Sequence, residues 1–283
     1  MRIADKFKDH IPVSFEIFPP KGELGVDTLR SILDEFKALE PDYISVTYSA
    51  GGSGNSEKTV ELVNIIENEY GIDASAHLTC INSNIGEVRS VLEQLKADGI
   101  ENILALRGDR IDGKSPSDFH YASELISYIK KENDKFCIGA ACYPEGHIEC
   151  DSFSDDIRHL KEKQDAGADF LVTQLFFENE LFYTFREKAV AAGINIPIEA
   201  GIMPILGKTQ VSKMIFKCGA SLPSAIIRIL NKYENDPDSL KKAGIEYAAE
   251  QISELLSNGA DGIHIYSMNR PEIARDILKI IGE

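Results

Sequence analysis

The sequence predicts an α/β chain folded as a (β/α)8 TIM barrel, one domain spanning residues 1–283. Three observations predict it. Eight short runs rich in Val, Ile, Leu and Phe alternate with longer amphipathic stretches, the pattern of a parallel sheet with crossover helices. Most strand-to-strand intervals are roughly 30 residues, the length of one βα unit. Gly99, Gly167, Gly193 and Gly259 each stand just ahead of a strand, where a left-handed helix C-cap fits. An open doubly wound sheet shares the alternation and is the competing arrangement.

In chain order, the first run, 13–18, carries Glu16 and stops at Pro19-Pro20, and an amphipathic stretch, 23–39, follows. The second, 43–48, ends in Thr47 and Tyr48 and opens into Ala50-Gly51-Gly52-Ser53-Gly54 before the stretch 56–70. The third, 75–79, ends His77-Leu78-Thr79 ahead of 85–97, and the fourth, 102–107, ends Arg107-Gly108-Asp109 ahead of 118–131. The fifth, 137–143, runs into Tyr143-Pro144-Glu145-Gly146-His147 ahead of 154–166. The sixth, 170–176, holds Thr173 and Gln174 ahead of 180–192, and the seventh, 197–203, ends Met203-Pro204 ahead of 209–217. The eighth, 262–268, follows a longer insert that closes with a helix-like 239–257, and holds Tyr266 with Asn269-Arg270 just beyond.

The formal net charge of −16 repels nucleic acid and anionic membranes, so the expected partners are small molecules, and an anionic ligand needs a local basic site. No stretch approaches the roughly 20 apolar residues of a membrane span, and the start lacks a secretory apolar run, so a cytoplasmic protein is expected. The five cysteines are scattered and odd in number, which argues for thiols rather than a disulfide framework.

In a closed parallel barrel, chemistry sits at the carboxyl ends of the strands, and polar residues crowd those ends here. Glu16, flanked by Phe15, Ile17 and Phe18, is expected to be partly desolvated and biased toward its protonated form, which suits a general acid; a carboxylate satisfied by a neighbouring Arg, Lys or Thr is the alternative. Asp109 could set a negative charge near a cofactor, or simply cap a turn. The glycines at 51, 52 and 54 could let backbone N–H groups approach a phosphate, or form a flexible loop. His77 could donate to a pyrophosphate or be a hydrogen-bonded rim histidine. Arg107, Lys163 and Arg270 could counter anions or pair on the surface. Cys142, His147 and Cys150 are spaced for a metal, yet no fourth ligand stands out and no metal site is expected. Arg107-Gly108-Asp109 is best read as a βα turn.

Taken together, Ser14-Phe15-Glu16-Ile17-Phe18-Pro19-Pro20, Ser45-Val46-Thr47-Tyr48-Ser49-Ala50-Gly51-Gly52-Ser53, Ala76-His77-Leu78-Thr79-Cys80, Ala105-Leu106-Arg107-Gly108-Asp109, Tyr143-Pro144-Glu145-Gly146-His147, Thr173-Gln174-Leu175-Phe176-Phe177, Gly201-Ile202-Met203-Pro204-Ile205 and Tyr266-Ser267-Met268-Asn269-Arg270 resemble, in order, the methylenetetrahydrofolate reductase family. The resemblance implies FAD (FMN being open) at the barrel mouth, with NADH or NADPH and a folate using one flavin face in turn. It makes Glu16 the general acid that helps open the five-membered ring of 5,10-methylenetetrahydrofolate. Asp109 becomes the acidic residue near flavin and pterin, and Gln174 a pterin ligand, with Arg270 beside the substrate. Thr47, His77, Arg107, Gly108, Asp109, Tyr143, His147, Asp156 and Lys163 fall where the family contacts its flavin. Departures are Ser49, where many relatives have Gly, and Arg110-Ile111-Asp112 in place of a proline-bearing loop. The resemblance also implies a homo-oligomer of the short bacterial form, without a regulatory extension. Two alternatives stay open: a flavin-binding subunit that takes electrons from a partner protein, and a flavin-free barrel lyase.

Overall fold

The computed structural model describes residues 1–19, 26–48, 54–110 and 117–282. Eight parallel strands close into a barrel in sequential order, β1 Val13–Ile17, β2 Tyr43–Val46, β3 Ala74–Thr79, β4 Asn102–Leu106, β5 Cys137–Cys142, β6 Phe170–Thr173, β7 Ile198–Ile202 and β8 Gly262–Ile265. β8 returns to β1 with Val13 opposite Ile263 and Phe15 opposite Ile265, which removes any open edge and excludes the doubly wound alternative. The helices are α1 Ile3–Lys6, α2 Val26–Lys37, α3 Gly54–Asn64 continued by a π-turn at Ile65–Glu69, α4 Ile85–Ala97, α5 Ala122–Glu132, α6 Phe153–Asp165, α7 Asn179–Ala191, α8 Lys208–Cys218, α9 Ser224–Lys232, α10 Pro237–Ser257 and α11 Pro271–Ile281. No helix among the described residues is long and apolar enough to cross a membrane.

The strands stop short of their apolar runs because the ladder ends before the hydrophobicity does. Arg107 O accepts from Cys80 N and Ile81 N rather than from a strand, and Gln174 N already reaches back to Cys142 O. Thr47, Tyr48, Arg107, Tyr143, Gln174, Met203 and Tyr266 therefore lie on the loops above the barrel. The expected helix at 118–131 begins only at Ala122, since Asp118 Oδ2 accepts from Ile85 N (2.9 Å) and Ser117 Oγ from Phe119 N (2.9 Å), holding that segment as a turn. The insert before β8 contains α9 besides α10, and α1 was not expected from the pattern. Most of the glycine loop, 49–53, and the turn at Ile111-Asp112 lie outside the described residues, as do the start of the stretch 23–39 and Pro20.

Strand alternation divides the side chains into two populations. Phe15, Ile17, Ile44, Val46, Ala76, Leu78, Ile103, Ala105, Ile138, Ile202, Ile263 and Ile265 face the helices and form the main core; Phe15 meets Phe36 of α2 with ring centroids 5.3 Å apart. The opposite positions fill the barrel. At its floor, α1 acts as a plug: Ile3 is fully buried among Tyr43, Leu104, Cys137 and Phe170, Ile3 N donates to Asn102 Oδ1 (2.8 Å), and Phe7 lies 5.6 Å from the Phe170 ring. Above this apolar floor the interior turns polar, with Ser14, Ser45, Ser75, His77, Glu199 and His264 all buried.

Candidate active site

Glu16 is an inward residue of β1 near the top of the barrel, with its side chain 19% exposed. The flanking apolar residues are not its surroundings, contrary to the expectation from sequence. Phe15 and Ile17 alternate to the helix side of the sheet, and the carboxylate instead faces two histidines. His77 Nε2 lies 3.8 Å and His264 Nε2 4.0 Å from Glu16 Oε2. Tyr266 closes a third side, packing edge-on against His264 (5.0 Å) and donating its hydroxyl to Thr173 O (2.7 Å). Burial, then the Glu16 charge, pushes the Tyr266 phenol well above its ordinary range, so it serves as a donor and not as a base.

His77 is not a rim residue. Only 6% exposed, it sits inside β3 with Nε2 2.7 Å from Ser45 Oγ, and burial pushes it down to about 4, the Glu16 charge opposing. It is a neutral imidazole at ordinary pH. The loops after β1 and β8 are stitched above Glu16 by a reciprocal pair, Phe18 N to Asn269 Oδ1 and Asn269 Nδ2 to Phe18 O, both 2.8 Å. Met268 and Asn269 both adopt positive φ (58° and 56°) to make that turn.

Beside this mouth, the tops of β4 and β5 open into a cleft of about 900 Å³ running down between α5 and α6. Five residues expected at a cofactor line it: Arg107, Tyr143, His147, Asp156 and Lys163. Lys163 reaches up from α6, donates to Ala141 O (2.8 Å) and stands 5.5 Å from the centre of the Tyr143 ring; His147 packs edge-on to the same ring at 4.7 Å. Burial lowers Lys163 and raises Asp156, each acting against the other's charge, and burial also raises Tyr143 and lowers His147. Arg107 pairs with Glu149 (2.7 Å) at the cleft edge. The far wall carries Tyr121 stacked on His159 at 5.2 Å, with Arg158 beside it. Gly108 turns the chain at φ 82°, and a Cβ there would lie 2.9 Å from Thr79 Cβ, so the turn admits no side chain.

Asp109 stands on the outer lip, its side chain 71% exposed, with its carbonyl accepting from Asn82 Nδ2 (2.7 Å) and its carboxylate 3.7 Å from Lys217 of α8. The next residue, Cys218, links the two halves of the mouth: burial pushes its thiol up to about 11, and the Asp109 and Glu16 charges both add to that rise. Gln174 follows Thr173 over the top of β6 and folds its own Oε1 onto Leu175 N (2.8 Å). Glu16, Asp109 and Gln174 thus open at one end of the barrel. Thr47 is half-buried above β2, its carbonyl accepting from Thr59 Oγ1 (3.1 Å). Arg270 is turned onto Glu272 (2.9 Å) at the start of α11. Cys142 packs on the helix side of the sheet, in the main core.

The sequence profile of the methylenetetrahydrofolate reductase family matches residues 2–282. The chain belongs to the methylenetetrahydrofolate reductase family. A 5,10-methylenetetrahydrofolate reductase of Pectobacterium carotovorum subsp. carotovorum is 35% identical over 98% of this chain and 92% of its own length. Methylenetetrahydrofolate reductase 1 of Schizosaccharomyces pombe is 37% identical over the whole chain, which spans 48% of that longer protein. Among solved structures, an uncharacterized protein from Clostridium thermocellum, described as binding two copies of 5-methyl-5,6,7,8-tetrahydrofolic acid, superposes with a TM-score of 0.65 at 15% identity over 99% of this chain and 98% of its own, a likeness of fold. As a member of the reductase family the chain is an enzyme, an oxidoreductase whose family chemistry is reduction of methylenetetrahydrofolate.

Several residues of this reductase site escaped the sequence reading. His264, Ser14 and Glu199 lie within apolar strands, with His264 reaching Glu16 and the other two behind it; the available signal was a polar residue between apolar neighbours of a strand, at an inward position. Lys217 and Cys218 sit on a helix whose end had no reason, from sequence, to lean over the mouth. Tyr121 and His159 come from helix starts and faces that periodicity assigns only to solvent.

Proposed function

We propose that the chain reduces 5,10-methylenetetrahydrofolate to 5-methyltetrahydrofolate with electrons from NADH or NADPH, passed through FAD in ping-pong order, as one catalytic domain acting in the cytoplasm as a homo-oligomer. The observation that carries the reading is Glu16, a carboxyl set among two imidazoles and a tyrosine at the strand ends, with one side open to the mouth. A family of folate reductases needs an acid at that point, because the methylene bridge opens only if the departing amine takes a proton.

The residues present fit a flavin dinucleotide. The cleft offers a half-buried ammonium at Lys163, the Arg107 guanidinium and the His147 ring, grouped as a diphosphate would require. Gly108 leaves its turn free of a side chain. The cleft continues past this cluster to the Tyr121–His159 stack, which an adenosine would use and FMN would leave idle; this favours FAD. When bound, the flavin supplies a hydride to the folate. Glu16 donates its proton to the amine nitrogen as the bridging carbon–nitrogen bond breaks, and the positive charge stays on the iminium carbon and its nitrogen. Asp109, largely exposed and 3.7 Å from Lys217, gives that cation a negative field at the lip. Gln174 offers an amide to the pterin edge, and Thr47 and Arg270 flank the same opening.

The test is to purify the protein, release its cofactor by heat and identify it by mass, then ask which donor bleaches the intact protein. FAD together with bleaching by NADH or NADPH is the expected result. A colourless protein with no affinity for flavin overturns the reading in favour of a flavin-free lyase, and a yellow protein that neither nucleotide bleaches transfers the electron supply to a partner protein.

A further inference from the structure

Beneath Glu16, inside the barrel, runs a line of buried groups that the chemistry above does not use. His264 is 1% exposed, and its Nε2, facing Glu16 Oε2 at 4.0 Å, has no hydrogen-bond partner among the described residues. Its Nδ1 lies 2.6 Å from Ser14 Oγ, and Ser14 Oγ lies 2.7 Å from Glu199 Oε1. The Tyr43 hydroxyl donates to the other Glu199 oxygen. Ser14 and Glu199 are fully buried and Tyr43 is 1% exposed. The groups acting on Glu199 are His264, Tyr43, Ser14 and the like-charged Asp42, a set that offers a carboxylate no permanent counterion. A buried carboxyl so placed favours its neutral form.

Every member of this line both gives and accepts a proton. The geometry points to Glu199 and Glu16 sharing one proton through Ser14 and His264, so that the buried carboxyl holds the proton that the acid at the mouth delivers to the substrate. The inference rests on Glu16 being the acid. With the proton on Glu199, its O–H points at Ser14 Oγ, the Ser14 hydroxyl at His264 Nδ1, and His264 Nε2–H at the Glu16 carboxylate. In the transfer, Glu199 gives its proton to Ser14 Oγ, Ser14 gives its own to Nδ1, and Nε2 gives its own to Glu16 Oε2, which a rotation of the Glu16 carboxyl brings within reach. Charge and proton count are conserved, and the proton that leaves with the product returns from solvent at the open side of Glu16. The other groups facing Glu16 are His77 of β3, Tyr266 beyond β8 and Cys218 of α8. His77 is bonded to Ser45 and Tyr266 to Thr173 O, so neither continues the line. Glu199, Ser14 and His264 are positioning residues that act through Glu16.

Infrared spectroscopy of the intact protein at neutral pH, paired with the pH profile of folate reduction, tests this. Wild type should show a buried carboxylic-acid C=O band that is absent from Glu199→Gln and retained in Ser14→Ala. Both variants should move the alkaline limb of the profile down by about one pH unit, lowering kcat about tenfold on that limb with KM unchanged. The double variant should be no slower than Glu199→Gln. If Glu199→Gln folds poorly, Ser14→Ala carries the kinetic test alone, because it cuts the line and spares both carboxyls. A wild-type profile in either variant, or no band lost in Glu199→Gln, overturns the shared proton while leaving Glu16 in place. Wild-type turnover in Glu16→Gln overturns the acid and the relay together.

Discussion

Gly201→Ala couples the packing of the barrel to the mouth of the site. Gly201 is an inward residue of β7, and a Cβ there would lie 2.4 Å from Thr173 O and 2.8 Å from both Cε2 and the hydroxyl of Tyr266. The nearer contact, with the backbone of β6, forces β6 and β7 apart, and the contact with the ring makes Tyr266 shift and surrender its 2.7 Å bond to Thr173 O. Overpacking of this kind costs about 1–3 kcal/mol, and a buried hydroxyl left unpaired adds about 1–2 kcal/mol. The sum, about 2–5 kcal/mol, should lower Tm by about 4–15 °C for a chain of this size. Because Tyr266 walls Glu16, folate turnover should fall in the protein that remains folded. Differential scanning calorimetry of Gly201→Ala, Tyr266→Phe and the double variant measures the coupling: the glycine substitution should cost about 1 kcal/mol less once the hydroxyl is gone. A Tm within 2 °C of wild type, on the order of half a kcal/mol, would refute the argument that the ring is locked between β6 and β7.

Glu16→Gln should leave flavin bound and reducible by its donor while abolishing folate turnover, which stopped-flow measurement of the two half-reactions resolves. Asp109→Asn should weaken folate reduction and raise the flavin midpoint potential by on the order of 10 mV, the effect of one well-solvated charge, as read by redox titration. Lys163→Met removes the ammonium that lines the cleft and should weaken cofactor binding by about tenfold to a hundredfold in equilibrium dialysis. Burial pushes Glu67 up to about 7 from 4.5, with the N-terminal ammonium opposing and Asp73 and Glu101 adding. Stability from this group is therefore fully present below about pH 4.5 and lost as pH rises through about 7. Discounted for solvent screening, that is about 1–2 kcal/mol, so Glu67→Gln should raise the urea midpoint at pH 8 and leave it near wild type at pH 4.5; equal shifts at both would refute it.

The barrel was legible because its two requirements, apolar strands and amphipathic covers, are both written in local periodicity. Glu16, Arg107 and Tyr143 were legible for a related reason: each interrupts or closes an apolar run, and parallel topology then sends all such positions to one end. What lies inside the barrel was not. Glu199 and His264 are separated from Glu16 by 183 and 248 positions in the numbering, and only the register of β7, β8 and β1 brings them under it. Surroundings are hidden where neighbours in sequence are not neighbours in space, as with Phe15 and Ile17, which face the helices while Glu16 faces the barrel interior. Arg270 illustrates another boundary, since its partner Glu272 is two residues away on a helix that starts between them, at Pro271.

The Phe18–Asn269 clasp joins residues 251 positions apart. A chain still emerging from the ribosome, or one lacking its last strand, holds Glu16 on a free edge with no His264 beneath it and no lip above it. Such a chain has no weak version of the pocket to offer folate. Competence therefore awaits the closure of the final βα unit onto the first, a contact whose separation in sequence makes it slow to form.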